Sequence, residues 1–292
     1  MKKFRNRPFR TLMVFSLMSG LIVSSPPVAV QAQKLKADEL IAKHLEAIGA
    51  AETRDSSKSR IITGMVAVTF RAPGTGQVGG RVVLASEGVK SLLGMVFDNS
   101  VNYSQEKLGF DGSDVSASYA RPGARSTLGD FVLTHKTIVK QGLLAGVLSQ
   151  GWPLFDLAGR KAKMEMSGTK RIGDREAYQV KYYPSGGSDL RISLFFDTET
   201  FQHVRTEYAR TLVAQIGSTP ETSSRQSETR YKMVEDFSDF RKEGGLTLPH
   251  EYKIQLEVSS QRASFKADWD MSLSQFAFNQ RIDPATFKVE GK

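Results

Sequence analysis

The chain contains no cysteine. That excludes disulfides, thiolate metal sites, cysteine nucleophiles and a lipid-modified cysteine following a leader. It is also poor in histidine, with four in 292 residues, and poor in catalytic signatures. His44 has no second histidine one helical turn away, and His250-Glu251 fails as a zinc-protease motif because Ile254 holds the place of the second histidine. His135 and His203 lack any neighbouring ligand pattern, so all four read as packing or surface histidines. No Gly-x-Ser-x-Gly elbow is present, and the glycines at 74, 76, 79 and 80 are followed by no P-loop lysine. Asp111-Gly112-Ser113-Asp114 lacks the remaining ligands of a calcium loop and reads as a hairpin turn. These absences point away from an enzyme and away from any cofactor or metal.

Charge of one sign is scarce once the first residues are set aside. Lys2, Lys3, Arg5, Arg7 and Arg10 precede an apolar run over 12–23, Pro26-Pro27 and the small-residue site Val30-Gln31-Ala32. This pattern predicts an export signal over residues 1–32, cleaved after Ala32, because the run is too short for a spanning helix. Removing those five cations from the 40 of the whole chain leaves 35 basic against 31 acidic residues. Such a small surplus favours solubility and gives no nucleic-acid footprint. The expected location is the periplasm, with residues 33–292 as one domain.

What the chain does have is alternation. A helix is expected over 38–48, where Leu40, Ile41, His44, Leu45 and Ile48 recur at helical spacing, followed by a polar loop through Ser59. Period-two patterns then run through 66–70, 81–86, 91–97, 101–108, 115–119, 178–182, 190–196, 204–212, 228–237, 248–258 and 263–273. Short turns join neighbours, so the expectation is about eleven or twelve strands in an antiparallel meander. Many strands keep Lys, Arg, Gln or Glu on one face, as at Gln179 and Lys181, so one face is dry and one wet. The predicted fold is mainly β with few helices. It is a strongly curved antiparallel half-barrel of about eleven strands, covered by the N-terminal helix and a central helical lid.

The middle segment, 126–156, is the least strand-like. Ile138, Val139, Leu143, Leu144, Val147 and Leu148 are interrupted by Gly142, Gly146 and Gly151, and Trp152-Pro153-Leu154-Phe155 closes the run. Glycine weakens a helix by roughly 1 kcal/mol against alanine, so a weak helix or a pair of short ones is expected, acting as a fixed plug or a mobile lid. Residues 217–226 read as an exposed hairpin tip, and Asp283-Pro284 as a capped terminal turn with Phe287 tucked into the core.

Three stretches carry a resemblance. Gly173-Asp174-Arg175-Glu176-Ala177-Tyr178-Gln179-Val180, then Leu194-Phe195-Phe196-Asp197-Thr198-Glu199-Thr200-Phe201 with Val204-Arg205, resemble the outer-membrane lipoprotein carrier-like (LolA/LolB-like, lipoprotein-sorting) family. Phe110-Asp111-Gly112 and Ile282-Asp283-Pro284 with Phe287 fit as well. The resemblance implies a half-barrel with an apolar cavity, and a non-catalytic periplasmic carrier or binder of a lipid, a lipoprotein acyl chain or another hydrophobic ligand. Envelope membrane proteins that load or unload it are the partners so implied. Candidate lining residues are Val66, Val68, Phe70, Ile192, Leu194, Phe196 and Trp269 on the strands and Leu143, Leu144, Val147 and Trp152 on the lid. Two alternatives remain. One is a cell-envelope scaffold whose half-barrel is filled by side chains. The other is an enzyme using the same-face carboxylates Asp268 and Asp270.

Overall fold

The computed structural model describes residues 35–98, 100–213, 228–261 and 263–289. The expected export signal and the 217–226 tip lie outside the described residues. Among the described residues, no helix is long and apolar enough to cross a membrane.

Two helices open the described chain, α1 (Ala37–Ile48) and α2 (Ala51–Ser56). The second replaces part of the expected polar loop. Leu40, His44 and Ile48 form the buried stripe of α1, spaced at i, i+4, i+8. Ile41 and Leu45 flank it half-buried.

The strands follow as β1 (Ser59–Ala72), β2 (Gly76–Glu87), β3 (Lys90–Val96), β4 (Gln105–Phe110) and β5 (Val115–Ala117). After the middle segment come β6 (Lys163–Ile172), β7 (Arg175–Tyr183), β8 (Arg191–Asp197) and β9 (His203–Leu212). Three long strands, β10 (Thr229–Glu243), β11 (Leu246–Ser260) and β12 (Ser264–Phe278), close the series. All lie in one open antiparallel sheet of 12 strands, ordered β5-β4-β3-β2-β1-β12-β11-β10-β9-β8-β7-β6. Two meanders therefore meet where β1 pairs with β12, and only that junction is non-sequential.

Register decides which side chains share a face. Val66 lies opposite Met271 and Val68 opposite Trp269. Val180 lies opposite Leu194, and Phe237 opposite Tyr252. These buried residues form the dry face. The other face carries ion pairs such as Arg71 with Asp268 at 2.7 Å and Lys170 with Glu207 at 3.3 Å. It also carries a small second cluster in which Ile282 and Phe287 pack on Ala85, Ile61 and Leu92. The terminal turn is a 3-10 helix, Pro284–Phe287, capped by Asp283, whose carboxylate accepts the Ala285 amide at 2.9 Å. Phe287 is buried as expected, on the side of the sheet away from the main core.

The middle segment crosses the dry face. It folds as α3 (Thr127–Thr134), α4 (Thr137–Lys140) and two 3-10 turns, Gly146–Leu148 and Pro153–Phe155. Its glycines do more than weaken a helix. Gly142 lies so close to the Gly151 carbonyl that a Cβ there would meet the oxygen at 1.8 Å. Gly146, at φ +49°, has room for no Cβ against His203 and Phe237, both 2.9 Å away. Gly146→Ala is therefore expected to lower stability by roughly 1–3 kcal/mol. Urea unfolding is expected to show a lower midpoint with an unchanged slope.

Candidate ligand-binding site

The interior is held by polar groups buried in the dry face. Arg60, at the start of β1, is buried and donates from Nη1 to the carbonyls of Val147 at 2.7 Å and Leu148 at 3.1 Å. Its guanidinium sits over the Phe278 ring, and no carboxylate pairs with it among the described residues. Burial lowers its pKa to about 10. Opposite, Glu235 is hydrogen-bonded to the Tyr252 hydroxyl at 2.5 Å, the Tyr208 hydroxyl at 2.6 Å and the Ala145 amide at 2.7 Å. The middle segment is thus pinned from both halves of the sheet. Gln150 adds bonds to Ser57 at 2.6 Å and, through its amide, to Ser86 at 3.0 Å.

Trp152 is part of the same seam. Its Nε1–H donates to His44 Nε2 at 3.1 Å, and His44 Nδ1 donates to the Phe201 carbonyl at 2.9 Å. The His203 ring lies 4.6 Å from Trp152, and Phe196 lies 4.8 Å from His44. Burial lowers His44 to about 4 and holds His203 well below its ordinary value. Both are neutral packing groups near pH 7.

The structure separates the candidate lining residues into two sets. Leu143, Leu144, Val147 and Trp152 are buried in the crossing segment, and Val66, Val68, Leu194 and Phe196 are buried beneath or beside it. Leu144 borders a gap of only about 10 Å³. Ile192 is buried but borders a recess of about 660 Å³ whose other walls include Gln179, Lys181, Ser193 and Glu207 of the wet face. A further recess of about 580 Å³ is lined by Arg175, Arg205, Asp236 and Asp239. Its floor is tied by the Arg205–Asp236 pair at 2.5 Å, so it is a polar surface crevice. Phe70 and Trp269 stand apart, because both line a half-open cavity of about 460 Å³.

This cavity lies beside the β1–β2 turn, bounded on one side by Ser126 and Thr127 at the start of the middle segment. Phe70, Val78, Tyr103, Ala120, Phe265 and Trp269 form its apolar walls. Tyr103 stacks on Phe97 with ring centres 4.9 Å apart and meets Phe70 edge-on at 5.3 Å. A hydrogen-bonded chain fixes the floor: Trp269 Nε1–H donates to the Tyr103 hydroxyl at 2.8 Å, which donates to Glu106 at 2.9 Å. Burial pushes the Glu106 carboxyl up to about 7, against the lowering pull of the Ser126 and Tyr103 hydroxyls. Its size falls within the range of small-molecule pockets, ~300–1,000 Å³. Sequence reasoning missed Val78, Tyr103 and Phe265. Val78 follows the parity of the inward-facing Gly80 and Val82, which is the signal that places it on the dry face.

Asp268 and Asp270 share the wet face and are bridged by Lys253, at 3.8 Å and 3.0 Å. Asp268 is buried there under Arg71 and Gln255, so it is not a solvated surface acid. Among the described residues no cluster of His, Asp and Glu has the arrangement of a metal site.

Together these features define an open half-barrel, plugged in the middle and hollow at one end. Among solved structures, the chain is similar to a LolA superfamily protein from Nitrosomonas europaea, at 13% identity and a TM-score of 0.48, over 87% of this chain and 98% of that one. It is also similar to a DUF1329 family protein from Desulfovibrio piger, at 12% identity and a TM-score of 0.47, over 86% and 96% of the two chains. A third is a lipoprotein-sorting protein domain from Vibrio parahaemolyticus, described as an outer-membrane one, at 10% and 0.42, over 85% and 97%. No family model matches the sequence, and no curated protein matches it significantly.

The buried acids and histidines give stability opposing pH dependences. Burial raises Glu235 to about 7, despite the hydrogen bonds of Tyr208, Tyr252 and Ala145. An unfolded glutamate ionises near 4.5, so the folded state keeps protons that the unfolded chain releases, and stability falls as pH rises from about 4.5 through 7. His44 acts in the other sense: the unfolded chain takes up a proton below 6.5 that the fold refuses until about 4, so stability falls as pH drops through that window. Glu235→Gln removes one rising-pH cost. The fall in Tm between pH 5 and pH 8 is expected to be smaller in the variant than in the wild type, and an unchanged fall would contradict the assignment.

Proposed function

We propose that the protein is a non-catalytic periplasmic carrier or binder of a lipid or another hydrophobic ligand, exported by a leader cleaved after Ala32 and folded as one domain over 33–292. The ligand's apolar part lies in the cavity walled by Phe70, Val78, Tyr103, Phe265 and Trp269. The observation that carries this reading is a hollow of about 460 Å³ with aromatic walls at one end of the dry face, beside the closely packed core under the middle segment. Burying an alkyl chain there contributes ~0.8 kcal/mol per methylene. Of the remaining candidates, Val66, Val68, Leu143, Leu144, Val147, Trp152, Leu194 and Phe196 are packed core, and Ile192 is buried beside a separate recess. Envelope membrane proteins that load and unload the ligand are the partners this reading implies.

A scaffold of the envelope is the second reading. The crossing segment favours it, because Leu143, Val147 and Trp152 fill the space a larger ligand would take.

Trp269 makes the test direct. It is one of two tryptophans, and the other, Trp152, is packed against His44 and His203. An acyl chain brominated near its methyl end is expected to quench Trp269 while Trp152 emission persists, and to raise Tm through linkage. Val78→Phe, which narrows the cavity, is expected to weaken binding roughly tenfold, equal to ~1.4 kcal/mol. Neither quenching nor a Tm shift at saturating chain would leave the scaffold reading standing.

A further inference from the structure

The cavity has a polar mouth as well as an apolar body. Among the described residues, the charged side chains lining it are Arg121 and Arg125, and no acid lines it. They stand at the two ends of a tight turn in which Arg121 and Ala124 exchange backbone hydrogen bonds, at 3.3 Å and 3.0 Å. The Arg125 guanidinium lies over the Tyr119 ring, 4.7 Å from its centre, and its Nε reaches the Ala117 carbonyl at 3.5 Å. That contact orients the group while its terminal nitrogens make no hydrogen bond among the described residues. Arg121 makes no side-chain hydrogen bond and neither arginine belongs to an ion pair among the described residues. Asp98, on the loop beside the mouth, is engaged by Arg81 at 3.3 Å. On the wet face some exposed arginines are paired, as at Arg71, Arg175 and Arg241, while others, such as Arg191, belong to no ion pair among the described residues.

We propose that the ligand is a single-chain amphiphile with an anionic head, its tail among the aromatic walls and its carboxylate or phosphate oxygens held by Arg121 and Arg125. This rests on the binding function proposed above and adds the chemical class. Size argues for one chain. The hollow of about 460 Å³ lies toward the lower part of the ~300–1,000 Å³ range of small-molecule pockets, which fits one alkyl chain. Charge argues for the anion. Two unpaired guanidiniums repel a cationic head, give a neutral one little, and offer an anion fork-shaped donors. The attraction is exposed and salt-screened, so the expected preference over a neutral head is modest, roughly three- to thirtyfold at low salt.

The experiment measures affinity of the exported protein for three amphiphiles of one chain length, all below their micelle concentrations. They are a fatty-acid carboxylate, a lysophosphatidate and a neutral monoacylglycerol, with Trp269 fluorescence as the readout. Both anions are expected to bind more tightly than the monoacylglycerol, with the difference shrinking at high salt. The tighter of the two anions identifies carboxylate or phosphate as the preferred head. The double variant Arg121→Gln, Arg125→Gln is expected to lose the preference while keeping the monoacylglycerol affinity, which also shows that the cavity remains folded. Equal affinity for charged and neutral heads in the wild type, or a preference that survives the double variant, overturns the proposal and leaves apolar binding intact. Failure of all three to bind overturns the binding function itself.

Discussion

The crossing of the dry face by residues 138–155 is the constraint on which the rest depends. A twelve-stranded sheet with one apolar face cannot leave that face in water, and among the described residues α1, α3 and this segment cover most of it. The segment is too glycine-rich to cover it as a regular helix, so its backbone carbonyls and amides enter the core. Each such group needs a partner there. Arg60 meets the carbonyls of Val147 and Leu148, and Glu235 meets the amide of Ala145. Two charged residue types on the dry face are thus the consequence of an irregular segment crossing it.

This arrangement divides the interior. Where the segment passes, Leu143, Val147, Trp152 and the strand residues under them pack closely. Beyond its edge, toward the β1–β2 turn and the loop before α3, Phe70 and Phe265 are only partly covered, and a hollow remains beside the buried Trp269. Its walls are anchored by the Trp269–Tyr103–Glu106 chain, so the site is rigid where the aromatic rings stand. Its mouth is built from a short turn and loop. A fixed apolar wall with an adjustable polar rim is the usual organisation of a small-molecule site.

Much of the architecture was legible in the chain. Alternation such as Val66, Val68, Phe70 set the dry face correctly, because a half-buried strand imposes its period on the sequence. The stripe on α1 and the Asp283–Pro284 cap were equally plain. Strand β6 was not, since a register shift between Met166 and Thr169, around Gly168, breaks the period there. Nor did Val101 belong to a strand: the residue is 90% exposed before β4 begins at Gln105. The buried charges went unread for a physical reason. Glu235 has the parity of Met233 and Phe237, yet a lone acid inside an apolar pattern looks like a fault until its partners, 17, 27 and 90 residues away, are brought to it. The cavity was half legible. Phe70 and Trp269 stood out as aromatic positions on the dry face, whereas Arg121 and Arg125 lie in a turn whose place in space no local pattern gives.

Hydrogen exchange of the protein, free and with a bound acyl amphiphile, tests this division of the interior most directly. The account predicts that amides over 138–155 are protected close to the level of global unfolding in both states, while the ligand adds protection around Tyr103 and 120–127. Rapid local exchange over 138–155 in the free protein, suppressed by the ligand, would show that the segment opens as a lid and would contradict a fixed plug beside an end cavity.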